Sequence, residues 1–238
     1  MVRPILFNGE MVQAILEGRK TVTRRIIKPH YRDDESGFQV VTSKSGEFIR
    51  VEKVDEDECG IFADGTERYV NPPFQTGDIL YVRETWTEEC PYGIDSCQIG
   101  KNCKTGTLCD ICKHNKPYYY RADGIDDGYV KWNPSIHMPK AAARIWLKVT
   151  DVRAERLKNI TTDQILKEGA NPGKINNYRD QISDGTEEWD KAAYLFVWSQ
   201  IWDDTVHKKD LPTYGWDANP WVWVIEFERC EKPEEAEG

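Results

Sequence analysis

Apolar residues in this chain follow the helical period in three places and the strand period in several others, with long polar stretches between them. Met11, Val12, Ile15 and Leu16 mark the first helix, predicted over residues 9–17. Asn8 is placed to cap it, Phe7 and Val12 are spaced as a hydrophobic staple, and Gly18 stands where a left-handed residue commonly ends a helix. A second helix is predicted from Thr161. There Thr161 and Gln164 form a capping box, Ile160 and Ile165 form its staple, and Gly169 stops it. The third opens at Asp184 or Thr186 and carries Trp189, Ala193, Phe196, Val197 and Ile201 to about Trp202.

Strand-like runs cover residues 48–54, 79–84, 143–157 and 221–228, and Tyr118-Tyr119-Tyr120 reads as a strand start. Residues 134–139 read as a loop. There is no regular βαβ repeat and no glycine-rich phosphate loop, so the pattern predicts an α+β fold, a small β-barrel flanked by short helices. One elaborated domain is expected over residues 1–230, with insertions at 30–70 and 88–115, a loop insertion at 170–188 and an acidic disordered tail at 231–238.

Composition adds that such a chain should fold: 39% of residues are apolar and nine are tryptophan. No apolar run reaches the ~18 residues of a membrane span, and the first residues lack the apolar core of an export signal. A soluble, cytoplasmic protein with no membrane partner is expected. Seven cysteines then point to metal rather than disulfides. The 88–115 insertion is poor in aliphatic residues and holds five of the seven, which suggests that a metal replaces a core. Cys109 and Cys112 make a C-x-x-C half-site for tetrahedral zinc. Cys97 and Cys103 complete the expected set, with Cys90 or His114 as substitutes, and a closed sulfur site of that kind is structural. No organic cofactor is expected.

Charge changes the picture most at one segment. The chain carries a formal charge of -9, yet residues 19–32 hold six Lys or Arg, one His and no carboxylate. The acidic total argues against indiscriminate binding to duplex nucleic acid, which depends on neutralising many phosphates, but a local basic patch remains suited to one anionic partner. In a plain strand, Thr21, Thr23 and Arg25 would share one face and Lys20, Val22 and Arg24 the other. For Lys20 and Thr23 to meet, the segment has to turn just after Gly18.

Several of these pieces together resemble one family. Gly18-Arg19-Lys20-Thr21-Val22-Thr23-x-Arg25, Gly77-Asp78-x-Leu80-x-Val82, Leu157-x-x-Ile160-Thr161 to Glu168-Gly169, and Trp221 to Phe227 are similar, in order, to the ASCH domain. Met138-Pro139, Ala142-x-Arg144-Ile145 and Asn219-Pro220-Trp221-Val222-Trp223 add a likeness to its larger phage or prophage forms. The resemblance implies a PUA-like barrel in a bacterial host cell, with a cleft for a nucleoside, a nucleotide or RNA. In small ASCH proteins a Lys, a Thr and a Glu remove the acetyl group from N4-acetylcytidine, and the matching positions here are Lys20, Thr23 and Glu168. On that reading Thr23 attacks the amide carbonyl, a desolvated Lys20 takes its proton, and Glu168 protonates the departing amine. Arg19 and Arg25 would hold phosphate or an oxyanion, with Thr21 and Arg24 beside them. Glu84 ends a strand near the cleft in this family, Trp86 is placed to stack on a base, and His137 to line the pocket. Two other functions fit the sequence: a noncatalytic RNA- or DNA-binding module, and a nuclease, although no carboxylate cluster suited to paired magnesium ions is evident.

Overall fold

In chain order the elements of the computed structural model are β1 (Val2–Leu6), α1 (Gly9–Leu16), β2 (Val22–Ile26), β3 (Phe38–Thr42), β4 (Phe48–Asp55), β5 (Glu58–Cys59), β6 (Ile79–Arg83), β7 (Trp86–Thr87), β8 (Tyr119–Tyr120), β9 (Trp146–Arg156), α2 (Thr162–Lys167), α3 (Pro172–Ile182), α4 (Glu187–Thr205), α5 (Leu211–Tyr214) and β10 (Trp221–Cys230). The structure describes residues 1–27, 38–42, 48–55, 58–59, 72–88, 118–125, 130–182 and 185–234, with the backbone alone for β3 to β5. These elements make a mixed α+β fold. Its largest sheet has five strands in the order β1-β6-β9-β10-β2, and β3-β4-β5 and β7-β8 form two smaller ones.

The chain divides into two compact units. The first comprises Met1–Arg19, Asp78–Lys148 and Glu228–Gly238. In it, β1 runs parallel to β6 from Val2 opposite Ile79 to Leu6 opposite Arg83, and β6 pairs antiparallel with the start of β9, Leu80 opposite Leu147. Alternation along β6 buries Leu80 and Val82. Asn8 caps α1 by accepting a hydrogen bond from the Met11 N–H, and the staple residues Phe7 and Val12 are both buried. Ala14 and Ile15 complete the inner face of α1, while Met11 and Leu16 lie at its margin. Gly18, at φ +76°, ends the helix in the left-handed conformation expected for it.

The second unit comprises Lys20–Gly77 and Val149–Phe227. Here β2 pairs antiparallel with β10, Thr23 opposite Ile225 and Arg24 opposite Val224. On one face of this pair Val22, Val222 and Val224 join Leu157, Ile160, Ile165, Ile175, Val197, Trp198 and Trp202 in a single buried cluster. Removing side chains of this size from water is worth roughly 1.5–3 kcal/mol each, which fixes α2, α3 and α4 against that face. The α2 capping box forms as expected: Thr161 Oγ accepts from the Gln164 N–H, and Gln164 Oε1 accepts from the Thr161 N–H.

Two expectations change. The sheet is not closed into a barrel among the described residues, since β1 and β2 stand at its two ends. The outer edge of β2 is met not by a strand but by the end of α2, where Lys20 Nζ donates both to the Val22 carbonyl at 2.7 Å and to the Glu168 carbonyl at 2.6 Å. Within residues 170–188, expected as a loop, α3 runs from Pro172 to Ile182. Asn171 starts it by accepting hydrogen bonds from the N–H groups of Gly173 and Lys174, and Pro172 is pre-set for a first helical position. Only Ile175 of this helix is buried, so its apolar periodicity is too sparse to read from sequence.

Candidate functional site

The site is built where β2 leaves its turn and meets the end of α2. In the β2–β10 ladder the Phe227 N–H donates to the Thr21 carbonyl and the Ile27 N–H to the Trp221 carbonyl, so the odd-numbered residues of β2 direct their backbone groups towards β10. Val22, Arg24 and Ile26 therefore turn theirs to the free edge. Lys20, coming off the turn, folds back to that edge, and its Nζ donates to the Val22 carbonyl at 2.7 Å.

The same ammonium reaches the last turn of α2. It donates to the Glu168 carbonyl at 2.6 Å and to Glu168 Oε2 at 2.9 Å, with both side chains buried. A cation at a helix C-terminus satisfies an orphan carbonyl and complements the dipole, which offsets the unfavourable place of Glu168 in the last turn. Glu168 is also held from its other oxygen, Oε1, by Arg24 Nη1 at 3.0 Å. Arg24 is fully buried and spans further: Nη2 donates to Gln164 Oε1 at 2.9 Å and lies 3.4 Å from Glu155 Oε2. Its Nε has no acceptor among the described residues.

Burial pushes the Lys20 ammonium below its ordinary pKa, the Glu168 carboxylate pulls it back up, and the Arg25 and Arg24 charges lower it again; the net direction is down. This is the environment of a lysine that can lose its proton. Thr23 is 3% exposed and lies, with Arg25, on the face of β2 opposite Arg24. The Arg25 charge nonetheless helps to lower the Lys20 pKa, and burial lowers that of Arg25 itself while Glu168 raises it. The Thr23 hydroxyl has no hydrogen-bond partner among the described residues, Lys20 included.

Of the expected site residues, the structure brings Lys20, Arg24 and Glu168 into direct contact, with Thr23 and Arg25 on the adjoining strand face. Thr21 is half-buried and held through its backbone at the turn. The other described candidates belong to the first unit. Arg19 pairs with Glu17, and its Nε donates to Glu17 Oε2 at 2.7 Å. Glu84 is buried and gripped by a bidentate Arg144, both bonds 2.9 Å, and Arg144 also binds Asp123 and covers the Tyr120 ring at 3.9 Å. Burial raises the Glu84 carboxyl above its ordinary range despite Arg144. Trp86 is buried against Tyr120 and Met138, its indole N–H without a partner among the described residues, so it presents no open stacking face. His137 is exposed in a short turn. The zinc candidates Cys90, Cys97, Cys103, Cys109, Cys112 and His114 lie outside the described residues, and among the described residues no group of three His, Cys, Asp or Glu is placed to hold a metal.

Sequence reasoning missed Gln164, Glu155 and Arg153. Arg153 gathers Asp151, Glu155 and Glu226, each at 2.6 Å, and so extends the chain of charges from Lys20 through Glu168, Arg24 and Glu155 to the surface. Gln164 was legible as a cap, and its spacing of four from Glu168 puts both on one side of α2, but only the folded chain brings Arg24 between them. A surface cleft of about 740 Å³ lies at the opposite end of α2, lined by Lys158, Thr161, Thr162, Lys191 and Tyr194 among others, and it includes none of the residues around Lys20. No described helix is long and apolar enough to cross a membrane. Compared with protein-family models, with curated proteins and with solved structures, the chain matches none of them.

Proposed function

We propose that Lys20, Thr23 and Glu168 form an amide-hydrolysing site on a PUA-like fold, acting on an N4-acylated cytosine nucleoside. The observation that carries this is the buried Lys20–Glu168 pair, whose Nζ and Oε2 stand 2.9 Å apart, with the buried Thr23 three residues further along the same segment. A buried acid–base pair is a poor phosphate surface and a good proton-transfer device.

The chemistry runs as follows. Lys20 passes its proton to Glu168 Oε2 across the existing hydrogen bond and becomes a neutral amine. As Thr23 Oγ attacks the acyl carbonyl, Lys20 takes the hydroxyl proton, and the new C–O bond gives a tetrahedral intermediate. Its collapse breaks the bond from the carbonyl carbon to N4, and Glu168 delivers its proton to the departing amine. The returned carboxylate again accepts the Lys20 proton. Neutral Lys20 then activates a water against the acyl-threonine, and Glu168 protonates Thr23 Oγ as it leaves. Arg25, on the Thr23 face, is the cation placed to meet the developing oxyanion. The step asks Lys20 and Thr23 to close to hydrogen-bond distance with substrate bound, a tightening common between free and loaded sites.

A noncatalytic nucleic-acid module draws less support, because two of the cations that suggested it, Lys20 and Arg24, are buried and neutralised within the protein. A nuclease draws less still, with no metal-holding cluster among the described residues.

Cytidine release from N4-acetylcytidine tests the reading. Thr23→Val keeps the shape and loses only the hydroxyl, which bonds to nothing described, so it should unfold as the wild type does while turnover falls at least about 100-fold. Absence of turnover by the wild type on any N4-acylated cytidine, with RNA binding unchanged in Thr23→Val, would leave the module instead.

A further inference from the structure

Beside the reacting groups stand two side chains that the reaction does not use, the buried Arg24 and the half-buried Gln164, and their arrangement has a single geometric theme. Gln164 and Glu168 stand one helical turn apart on α2, and the planar guanidinium of Arg24 bridges them, Nη1 to Glu168 Oε1 at 3.0 Å and Nη2 to Gln164 Oε1 at 2.9 Å. Gln164 Oε1 is simultaneously the acceptor of the Thr161 N–H at 3.1 Å, so one side-chain carbonyl closes the capping box and anchors the arginine. An amide oxygen has two lone pairs, and both are used here. Glu168 consequently offers one oxygen to Arg24 and the other to Lys20.

We propose that Arg24 and Gln164 are positioning residues, which lock the Glu168 carboxylate so that Oε2 alone faces Lys20, and that the capping glutamine of α2, though not its threonine, is thereby part of the site at the C-terminus of the helix. The assignment to catalysis rests on the hydrolase reading; the positioning itself does not. Without the Gln164 anchor, Nη2 of the arginine is left with Glu155 at 3.4 Å, the guanidinium plane can swing towards it, and Nη1 no longer holds Glu168 Oε1 in a fixed direction. A lysine at position 24 would not replace the arrangement, since a point-like ammonium lacks the planar fork that spans two acceptors. The basic residue in the middle of the motif is thus an internal strut rather than a hand extended to phosphate.

Three variants separate positioning from simple support of the helix. Gln164→Met keeps the length and removes the acceptor; Gln164→Glu keeps an oxygen for both partners; Thr161→Ala weakens the same cap and leaves Gln164 Oε1 free to hold Arg24. On N4-acetylcytidine, Gln164→Met should lose about 10-fold or more in kcat with little change in KM, because a displaced catalytic group slows the chemical step. Gln164→Glu and Thr161→Ala should stay within about threefold of wild type.

A second readout needs no activity. In protein labelled with 13C-lysine, the Lys20 signal, assigned by its absence in Lys20→Arg, should titrate at least about half a pH unit lower in Gln164→Met, since a loosened Glu168 no longer supports the ammonium, and should be unmoved in Thr161→Ala. Equal behaviour of Gln164→Met and Thr161→Ala in this titration overturns the positioning role. If the wild type hydrolyses no acylated cytidine, the hydrolase reading falls, and the titration still decides whether Gln164 and Arg24 set the Lys20–Glu168 pair.

Discussion

Lys20 shows what it takes to keep an ammonium in a protein interior. Desolvating such a group is costly, and the structure offsets that cost with two backbone carbonyls and a carboxylate, all within 2.9 Å. Removing the lysine alone leaves Glu168 and two carbonyls short of a donor. Lys20→Met should therefore destabilise the protein by about 3–5 kcal/mol in urea unfolding, the usual consequence of breaking a buried pair from one side. The pH dependence follows from the lowered pKa. Between the folded value and 10.5 the unfolded chain holds a proton that the folded chain has released, so the contribution of Lys20 to stability rises as pH climbs through that window and is lost as pH falls back through it. Repeating the urea comparison at increasing alkaline pH should show the gap between wild type and Lys20→Met widening; a gap that narrows would contradict the direction assigned to Lys20.

At the scale of elements, the ends of short helices carry the site. The last turn of α2 supplies Glu168 and the carbonyls that receive Lys20 and Thr21, and the turn after α1 delivers the chain to β2. Gly18 in that turn has a positive φ and open space where a Cβ would go, so Gly18→Ala should cost only the left-handed backbone penalty, about 1–2 kcal/mol. Gly215 is the opposite case. Its φ is ordinary, but an added Cβ would stand 2.6 Å from the Leu211 carbonyl oxygen. Thermal unfolding should rank Gly215→Ala below Gly18→Ala, because relieving the clash means moving the backbone of α5 rather than bending one residue.

For the whole molecule the charge balance is the governing fact. A chain at -9 contains a basic segment, but three of the cations nearest the site, Lys20, Arg24 and Arg153, are answered by Glu168, Glu155, Asp151 and Glu226. Affinity for bulk nucleic acid is accordingly expected to be weak and to depend only shallowly on salt, because few cations are left to displace counterions from phosphates, and a titration of oligonucleotide binding between low and physiological ionic strength will check it. The cysteine-rich stretch is proposed from its sequence to hold a structural metal. Metal analysis of the purified chain should find about one zinc, and its absence with all thiols titratable would refute that proposal.

How much could be read beforehand depended on the range of the forces involved. Asn8, the Thr161–Gln164 box, the Ile160–Ile165 staple and the left-handed Gly18 are interactions within a few residues, and each stands where the sequence placed it. The strands β6, β9 and β10 were legible for the same reason, as runs of β-favouring residues. The helix α3, nearly all polar, was not, because the packing of Ile175 is decided by a cluster drawn from distant segments. Lys20, Thr23 and Glu168 could be singled out one by one. That Lys20 turns to the strand edge, that Arg24 lies inside rather than outside, and that a capping glutamine anchors it are consequences of which side of β2 the end of α2 covers. A hydrogen bond spanning 148 positions has no local signature. The sequence by itself determined the caps, the turns and the residue types able to move a proton; only the tertiary structure decided which of them share a buried carboxylate, since burial and partner are properties of the fold and not of any one segment.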